Sequence, residues 1–324
     1  MVKIIGIGNA LVDILLTLED DSFLEAHKLP RGSMQLIEAE MAEKLLASSA
    51  LFPRLQASGG SAANTIHGLA NLGVETAYIG KIKDDEIGSF FRIDLEKSGI
   101  TPLLLKGLQP SGTAITFISP DSERTFGTYL GAAVELTPEE ITADMIKGYD
   151  LLHLEGYLVF NNALVEHIVT LAKAEGVKVS IDLASYNVVE ANLGFLRRIV
   201  NDYIDIVFAN EEEAKAFTGK APDEALDEIA EMCETAIVKI GQRGSLVKTN
   251  NQKYTIGIVD AVRRDTTGAG DLYAAGFLYG LSKNLSPQQC AMAGTILSGK
   301  VIEVIGAKIS HDVWKKVKAL VEVL

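Results

Sequence analysis

The chain has 324 residues, of which 48% are hydrophobic and 23% charged, so it is long enough to bury a full core as one large α/β domain or two smaller ones. Its formal net charge of −13 argues against a nucleic-acid partner, because such binding depends on Lys and Arg residues that neutralise phosphates. The widely separated Cys233 and Cys290 exclude a disulfide framework, and no apolar run approaches the roughly 18 residues of a membrane-spanning helix, so we expect a soluble cytoplasmic protein with no membrane partner.

The first third of the chain mixes short apolar strands with Ala-rich amphipathic segments. In chain order the predicted elements are strand 2–8, strand 11–18, strand 34–37, helix 38–50, helix 61–72, strand 76–81 and helix 87–97. Extended pieces separated by Gly and Pro follow at 101–105, 113–119 and 124–129. We expect these pieces to form a small β-sheet.

Beyond residue 150 strands and helices alternate regularly. The predicted strands are 150–154, 177–182, 204–208, 235–240, 245–249 and 253–259, and the predicted helices are 162–175, 189–199, 210–218, 269–282, 286–304 and one after Ser310. Such alternation implies right-handed βαβ units and a parallel sheet covered on both faces. The sequence therefore predicts one α/β domain over 1–324, with a small β appendage from segments near 11–37 and 101–129.

The strongest local motif runs from Asp265 to Asp271 and reads Asp-Thr-Thr-Gly-Ala-Gly-Asp. The turn Gly268-Ala269-Gly270 opens an apolar helix, where small residues let backbone N–H groups approach an anion and the helix dipole adds favourable field. Asp271, in the first helical turn, is either a partner of that dipole or a base. A carboxylate beside an anion hole favours the base, because phosphoryl transfer to an alcohol needs both.

A second glycine turn, Gly59-Gly60, also precedes a helix, and Asn64 lies in the first turns of that helix. The turn is either a tight loop with a Ser cap or one side of a ligand site. Asp13 stands alone in an apolar strand, where a charge usually marks the solvent face. Two glycine turns and a strand carboxylate would together suit a polyhydroxylated ligand.

Asn210 and Glu213 follow a strand and have the spacing of a capping box, although the same strand edge is where an α/β sheet places ligand chemistry, here water around Mg²⁺. The stretch from Lys239 through Gly241 to Gly244 either passes under a nucleotide or forms a hairpin. Neither pair of alternatives is resolved by the residues alone.

Several site classes are missing from the sequence. No Gly-Lys pair is followed by Ser or Thr, which excludes a P-loop kinase. The Gly6-Ile7-Gly8 stretch has Leu11 where a dinucleotide fingerprint needs its third glycine, so an NAD-linked oxidoreductase is a weak alternative. The His residues show no metal-ligand spacing.

The chain resembles the ribokinase, or PfkB, family of carbohydrate and nucleoside kinases over nearly its full length. Its Asp265–Asp271 stretch matches the family's C-terminal signature, Gly59-Gly60 with Asn64 matches the N-terminal motif, and Asn210 with Glu213 matches the N-x-x-E motif. The resemblance implies an α/β, ribokinase-like three-layer sandwich with a mainly parallel sheet, and a β lid that in several members also makes a homodimer contact.

The resemblance also implies roles for individual residues. Asp271 would be the catalytic base, and Gly268, Ala269 and Gly270 would hold the developing phosphate charge. Asn9, Asp13, Gly59, Gly60 and Asn64 would bind the substrate. The implied ATP-side residues are Asn210, Glu213, Lys239, Gly241, Gly244 and Thr266. Glu213 would organise Mg²⁺ through water, and Asp265 and Thr267 would offer a K⁺ site, as in cation-dependent members.

Within the family, the stretches that look most like adenosine kinase-type members are Gly8–Ile14, Ser122–Thr125, Tyr129–Ala133 and Lys300–Ala307. This resemblance implies an ATP-dependent kinase acting on a primary hydroxyl of a ribosyl compound, with adenosine or a related nucleoside as the expected acceptor. A sugar kinase acting on ribose or fructose, and a non-catalytic nucleotide- or sugar-binding sensor, stay as alternatives. Leu11, Leu36 and Phe117 would give the lid an apolar face for a flat base, whereas Arg124 facing the cleft would favour a phosphosugar.

Overall fold

The computed structural model describes residues 2–121 and 123–324, so Ser122 of the Ser122–Thr125 motif lies outside the described residues. The strands are β1 Lys3–Ile7, β2 Leu11–Thr17, β3 Met34–Leu36, β4 Arg54–Gly59, β5 Glu75–Ile82, β6 Ile100–Lys106, β7 Gly112–Ile118, β8 Arg124–Tyr129, β9 Leu151–Glu155, β10 Lys178–Asp182, β11 Ile206–Asn210, β12 Thr235–Lys239, β13 Ser245–Thr249 and β14 Gln252–Ile256.

The helices are α1 Ser22–Ala26, α2 Ala39–Ser48, α3 Ser61–Asn71, α4 Glu86–Lys97, α5 Ala143–Ile146, α6 Asn162–Ala174, α7 Tyr186–Tyr203, α8 Glu211–Thr218, α9 Pro222–Ile229, α10 Ala269–Ser282, α11 Pro287–Val301 and α12 His311–Val321. Among the residues that the structure describes, no helix has the length and apolar character needed to cross a membrane.

The main sheet has nine strands in the order β14-β13-β12-β11-β10-β9-β1-β5-β6. It is parallel from β6 to β12, and β13 pairs antiparallel with both β12 and β14. One apolar cluster packs α3, α10, α11 and α12 against one face, and a second packs α6, α7, α8 and α9 against the other. This arrangement confirms the predicted three-layer α/β sandwich with a mainly parallel sheet.

A separate five-stranded sheet, in the order β3-β8-β7-β2-β4, corresponds to the predicted β appendage and is called the lid below. The predicted lid segment 101–129 was wrong at its start, because β6 pairs in parallel with β5 and is the edge strand of the main sheet. The β5-α4-β6 connection places these two strands side by side, a pairing that extended patterning alone does not specify. Phe117 is also fully buried, with its ring 5.0 Å from that of Phe23, so it is lid core and not a surface for a base.

The sequence analysis missed the short helices α1 and α5, the strand β4 and the helix α9. Strand β4 completes the lid by pairing antiparallel with β2, but its first residues, Arg54-Leu55-Gln56, are exposed and its alternation rests on two apolar residues, Leu55 and Ala57. Helix α9 begins at Pro222, which suits a first helical position because the missing N–H would have no partner there. Its eight residues bury Ala225, Leu226 and Ile229.

Helices α10 and α11 lie in unusually close contact at two glycines. A Cβ atom added at Gly276 would lie 2.5 Å from the carbonyl oxygen of Ala293, and one at Gly280 would lie 2.7 Å from the Cα of Cys290. Because α10 carries the Asp271 end of the signature, this contact also fixes where the signature lies relative to the rest of the chain.

Replacing Gly276 by Ala should lower the free energy of unfolding by about 1–3 kcal/mol, because the new methyl group overlaps backbone atoms of α11 that have no free space. The matched control is Gly194→Ala in α7, where nothing lies within 4 Å of the added Cβ and the higher helix propensity of Ala should stabilise by about 0.5–1 kcal/mol. Urea unfolding of both variants checks the opposite signs, and a neutral Gly276→Ala would contradict the close contact.

Candidate active site

The carboxyl ends of the parallel strands bring most of the predicted site residues to one edge of the main sheet. Asn9 follows β1, Glu155 ends β9, Asp182 ends β10, Asn210 ends β11 and Lys239 ends β12. This edge is where open α/β sheets bind ligands. The amino ends of α3 and α10 contribute further residues at the same edge, as the contacts of Asp271 demonstrate.

Asp271 is held by the first turn of α3. Its Oδ1 accepts the hydroxyl of Ser61 over 2.8 Å, and its Oδ2 accepts the amide of Asn64 over 3.0 Å. The pKa of Asp271 is raised to about 6, because burial and the charge of Asp182 raise it more than the hydrogen bonds from Asn64 and Ser61 lower it. The carboxylate is therefore oriented and has the proton affinity of a base that works near neutral pH.

The turn before Asp271 has the geometry of an anion hole. Gly268 has a φ of 75° and precedes the first residue of α10, and a Cβ there would lie 2.6 Å from the Cβ of Ala307. Ala269 and Gly270 open the helix, and the Gly270 N–H is among the donors that an α-helix leaves without an intrahelical partner. Thr266 lies exposed just ahead of this turn and accepts the Ala269 N–H through its carbonyl oxygen.

The second glycine turn lies against the lid strand β2. A Cβ at Gly59 would lie 2.3 Å from Asp13 Oδ1, and one at Gly60, whose φ is 92°, would lie 2.3 Å from the carbonyl oxygen of Asn9. Both positions therefore need glycine, because a side chain would overlap Asp13 at position 59 and the Asn9 backbone at position 60. Burial raises the pKa of Asp13 to about 7, Lys308 lowers it, and the nearby charge of Asp271 raises it. Asp13 therefore lies near Asp271 within one electrostatic site.

Glu155 is a buried residue of the site that the sequence analysis missed. It accepts the side-chain amide of Asn9 over 2.8 Å, the backbone N–H of Asn9 over 3.2 Å and the backbone N–H of Ala62 over 3.1 Å. Burial raises the pKa of Glu155 to about 7, although these three hydrogen bonds act to lower it. Glu155 thus ties the end of β1 to the start of α3, and so positions Asn9 and Asn64.

Three acceptors in this part of the site have no protein donor among the described residues. The Oδ1 atoms of Asn9 and Asn64 are buried without a hydrogen-bond partner, and the carboxylate of Asp13 receives no hydrogen bond. An unpaired buried acceptor costs roughly 1–3 kcal/mol. Such a set is what a ligand with several hydroxyl donors would satisfy.

The Asn210–Glu213 pair forms the capping box. Asn210 Oδ1 accepts the N–H groups of Glu212 and Glu213, each over 2.9 Å, and Glu213 Oε2 accepts the Asn210 N–H over 2.7 Å. The segment from Lys239 to Gly244 is likewise the turn between β12 and β13, and Gly241 and Gly244 both have positive φ. The structural alternatives that the sequence left open are therefore present, and both elements still border the site.

Lys239 brings positive charge to the anion turn. Its Nζ donates to Asp182 Oδ2 over 2.8 Å and lies 3.0 Å from where a Cβ at Gly270 would be. Burial alone would lower the pKa of Lys239, but Asp182 and Glu213 raise it overall. The ammonium group therefore stays charged beside Gly270, where it can face a phosphate.

The carboxylates around Lys239 fit a hydrated Mg²⁺ that is bound mainly by phosphates. Burial raises the pKa of Glu213 to about 7, and the neighbouring charge of Asp182 adds to this rise, as it does at Asp271. In residues 2–121 and 123–324 no three His, Cys, Asp or Glu side chains are clustered closely enough to hold a metal directly. Excess negative charge without a ligand cage suits Mg²⁺, which keeps several of its waters.

The Asp265 and Thr267 side chains do not fit the expected K⁺ site. Arg124 Nη1 donates both to Asp265 Oδ1 and, over 2.6 Å, to Thr267 Oγ1. These are the side-chain oxygens that a monovalent cation would need. Because Arg124 contacts this loop, its side chain is not free to pair with the phosphate of an acceptor. The expected argument for a phosphosugar acceptor therefore does not apply.

Sequence reasoning overlooked Glu155, Asp182 and Lys308. The two carboxylates each end a buried parallel strand, and that position was a usable signal. Lys308 has no such signal, because it lies in the loop between α11 and α12 and its Nζ donates to Ser58 Oγ, 250 positions away, over 3.0 Å. Burial lowers the pKa of Lys308 to about 8, while Asp94 and Asp13 raise it.

Comparison with known proteins adds the family context. Residues 54–314 match the model of the pfkB family carbohydrate kinase. The chain shares 35% sequence identity with the adenosine kinase from Sinorhizobium meliloti. Its fold matches the crystal structure of that protein with a TM-score of 0.87, over 98% of this chain and 99% of that one. It is 33% identical to a probable sugar kinase from Rhizobium etli, with a TM-score of 0.87 over 98% of both chains. An uncharacterized sugar kinase of Archaeoglobus fulgidus is 31% identical over 74% of this chain and 96% of its own length.

Replacing Asp13 by Asn should stabilise the ligand-free protein increasingly as the pH rises. The folded-state pKa of about 7 lies above the ordinary value of 3.8, so the stability contributed by the bound proton is present below about pH 4 and is lost as the pH rises through 7. Asn mimics the protonated acid, and its advantage over Asp should grow by on the order of 2 kcal/mol between about pH 5 and pH 8.

Thermal unfolding of the parent and Asp13→Asn across this pH range measures the difference. Asp312→Asn, at a side chain that is 87% exposed, controls for the loss of a negative charge and should show a much smaller pH dependence. An Asp13→Asn advantage that does not change with pH would contradict the burial of a charge at this position.

Proposed function

The chain belongs to the pfkB family of carbohydrate kinases and is an ATP-dependent phosphotransferase, and we propose that it transfers the γ-phosphate of ATP to the primary hydroxyl of a purine nucleoside, such as adenosine. The observation that carries the proposal is the set of unpaired acceptors at Asn9, Asp13 and Asn64, which lies next to Asp271. These acceptors match the hydroxyl donors of a neutral ribosyl group.

In the proposed reaction Asp271 removes the proton from the substrate hydroxyl. That oxygen forms a bond to the γ-phosphorus, the bond from phosphorus to the β–γ bridging oxygen breaks, and ADP leaves with the bridging oxygen. Although Ser61 and Asn64 each donate to Asp271, a carboxylate has about four acceptor sites, so about two remain and one of them can take the proton. Ser61 and Asn64 thereby orient the base.

We propose that two sets of donors stabilise the negative charge that develops on the transferred phosphoryl group. One set is the backbone N–H groups at the start of α10, among which that of Gly270 lies beside the Lys239 ammonium, and the second is that ammonium itself. Preorganised donors at such a point lower the barrier because they need no rearrangement during the reaction. When bound with ATP, Mg²⁺ would supply further charge neutralisation, and Asp182 and Glu213 would orient its waters.

Two observations favour a nucleoside over a phosphosugar. Arg124 is engaged by Asp265 and Thr267, and Lys308 is matched by Ser58 and the nearby Asp94, so neither offers an uncommitted cation for an acceptor phosphate. The similarity to the S. meliloti adenosine kinase spans both chains and supports the same reading. The R. etli and A. fulgidus relatives are described as sugar kinases, which makes a free sugar the second candidate.

Asp271→Asn should lower kcat by about 10²–10⁴-fold, because the amide keeps the shape of the side chain but cannot take the proton. ATP binding, measured by calorimetry, should be retained. Asp312→Asn is the matched control, since Asp312 also lies in the first turn of a helix but far along the chain at an exposed position. Turnover of Asp271→Asn within about tenfold of the parent would show that Asp271 is not the base.

The parent enzyme's kcat/KM for the acceptor should fall as the pH drops through about 6. This value is the pKa of Asp271, and below it the carboxylate is protonated and cannot accept the substrate proton. The same profile measured for Asp271→Asn should lose this limb. A limb of equal midpoint in both proteins would assign the titration to another group.

Steady-state ADP release with a panel of acceptors tests the substrate class. Adenosine, inosine and guanosine are compared with ribose, fructose and fructose 6-phosphate, and a purine nucleoside should give the highest kcat/KM by about tenfold or more. A tenfold preference for a sugar would overturn the nucleoside assignment and leave the kinase in place. Tight acceptor binding without any ADP release would instead support the sensor.

A further inference from the structure

Arg124 reaches from the lid to the loop that precedes the anion turn. It is the first residue of β8, and its Nη1 is shared between Asp265 Oδ1 and Thr267 Oγ1. The side chain of Arg124 is 14% exposed and that of Asp265 5%, so the pair is largely shielded from water. Removing one member of such a pair leaves an uncompensated buried charge, which is costly.

Asp265 is the point where several parts of the chain meet. Its Oδ1 also accepts the backbone N–H and the hydroxyl of Thr267, each over 2.9 Å, and its Oδ2 accepts the backbone N–H of Gly306 over 2.6 Å. Burial alone would raise the pKa of Asp265, but the Thr267 and Gly306 N–H groups and Arg124 lower it overall. The carboxylate is therefore charged, and the loop around it needs a cation.

The loop held in this way leads directly into the anion hole, because Gly268 follows Thr267. Gly268 also packs against Ala307, next to Gly306, with only 2.6 Å between the Ala307 Cβ and a Cβ added at Gly268. Charge at Asp265 thus fixes both segments that shape the turn. A mobile ion at this point would support the turn only when bound, whereas a side chain is present at high effective concentration at all times.

We propose that the Arg124 guanidinium is a built-in cation that supports the anion turn in place of a monovalent metal ion, so that phosphoryl transfer by this chain does not require K⁺. The catalytic part of this inference rests on the proposed kinase function. Arg124 acts here as a positioning residue, through Asp265 and Thr267.

Arg124→Gln should create a dependence on K⁺ that the parent lacks. Parent turnover should stay within about twofold when K⁺ replaces tetramethylammonium at constant ionic strength, whereas Arg124→Gln should lose about tenfold or more in kcat and regain part of it with K⁺ or guanidinium. Arg124→Lys, which keeps a tethered charge, should retain more activity than Arg124→Gln without K⁺. Arg31→Gln is the matched control, because it removes another lid arginine paired with Asp21 and Asp121 at the surface.

A second measurement does not depend on turnover. An ion that binds only the folded state raises Tm as its concentration rises, so K⁺ should raise the Tm of Arg124→Gln relative to tetramethylammonium but leave the parent and Arg31→Gln unchanged. If no acceptor gives ADP release with the parent, the proposed function fails while this thermal test still decides the role of Arg124.

Three outcomes would overturn the inference. K⁺ could activate or stabilise the parent, which would mean that an ion binds despite Arg124. Arg124→Gln could keep full activity at every K⁺ concentration. Its only change could also be a raised KM for ATP that K⁺ does not restore, which would assign Arg124 to contact with the nucleotide.

Discussion

The pair of hydrogen bonds from Ser61 and Asn64 to the Asp271 carboxylate is the interaction on which the site depends. It joins the amino end of α3 to that of α10, and each of these helices begins directly after a glycine with positive φ. The third contact, from the Thr65 hydroxyl to the Asp271 carbonyl oxygen, extends the junction along both helices. The substrate side and the phosphate side of the site are therefore built around one carboxylate and its donors.

Burial of several carboxylates sets the electrostatic character of this region. Four carboxylates have raised pKa values with burial as the main cause: Asp13, Glu155, Glu213 and Asp271. Lys308 lies near Asp13, and Lys239 lies near Glu213 and Asp271. The ligand-free site is thus short of hydrogen-bond donors and of positive charge. A hydroxyl-rich acceptor would supply hydrogen-bond donors, and a magnesium-bound nucleotide would bring positive charge. Binding of these ligands should therefore stabilise the folded protein.

The parts that the sequence predicted are those whose signals are local. Regular alternation of apolar strands with helices gave the parallel sheet, and the Asp265–Asp271 stretch gave the turn at the start of α10. The assignment of β6 failed because an extended segment does not reveal which sheet it joins. The roles of Arg124 and Lys308 depend on contacts between segments far apart in the chain, such as the 250 positions that separate Lys308 from Ser58.

The central place of β1 in the main sheet also has a kinetic consequence. This first strand lies between β5 and β9, and its residues pair with positions 75–79 on one side and 151–154 on the other. Contacts of such long sequence separation raise the contact order and slow folding, because loop-closure entropy is lost before the pairing is gained. During synthesis one edge of the apolar strand β1 therefore stays unpaired until β9 has left the ribosome. A nascent chain ending before residue 151 exposes that edge and is a natural substrate for chaperones.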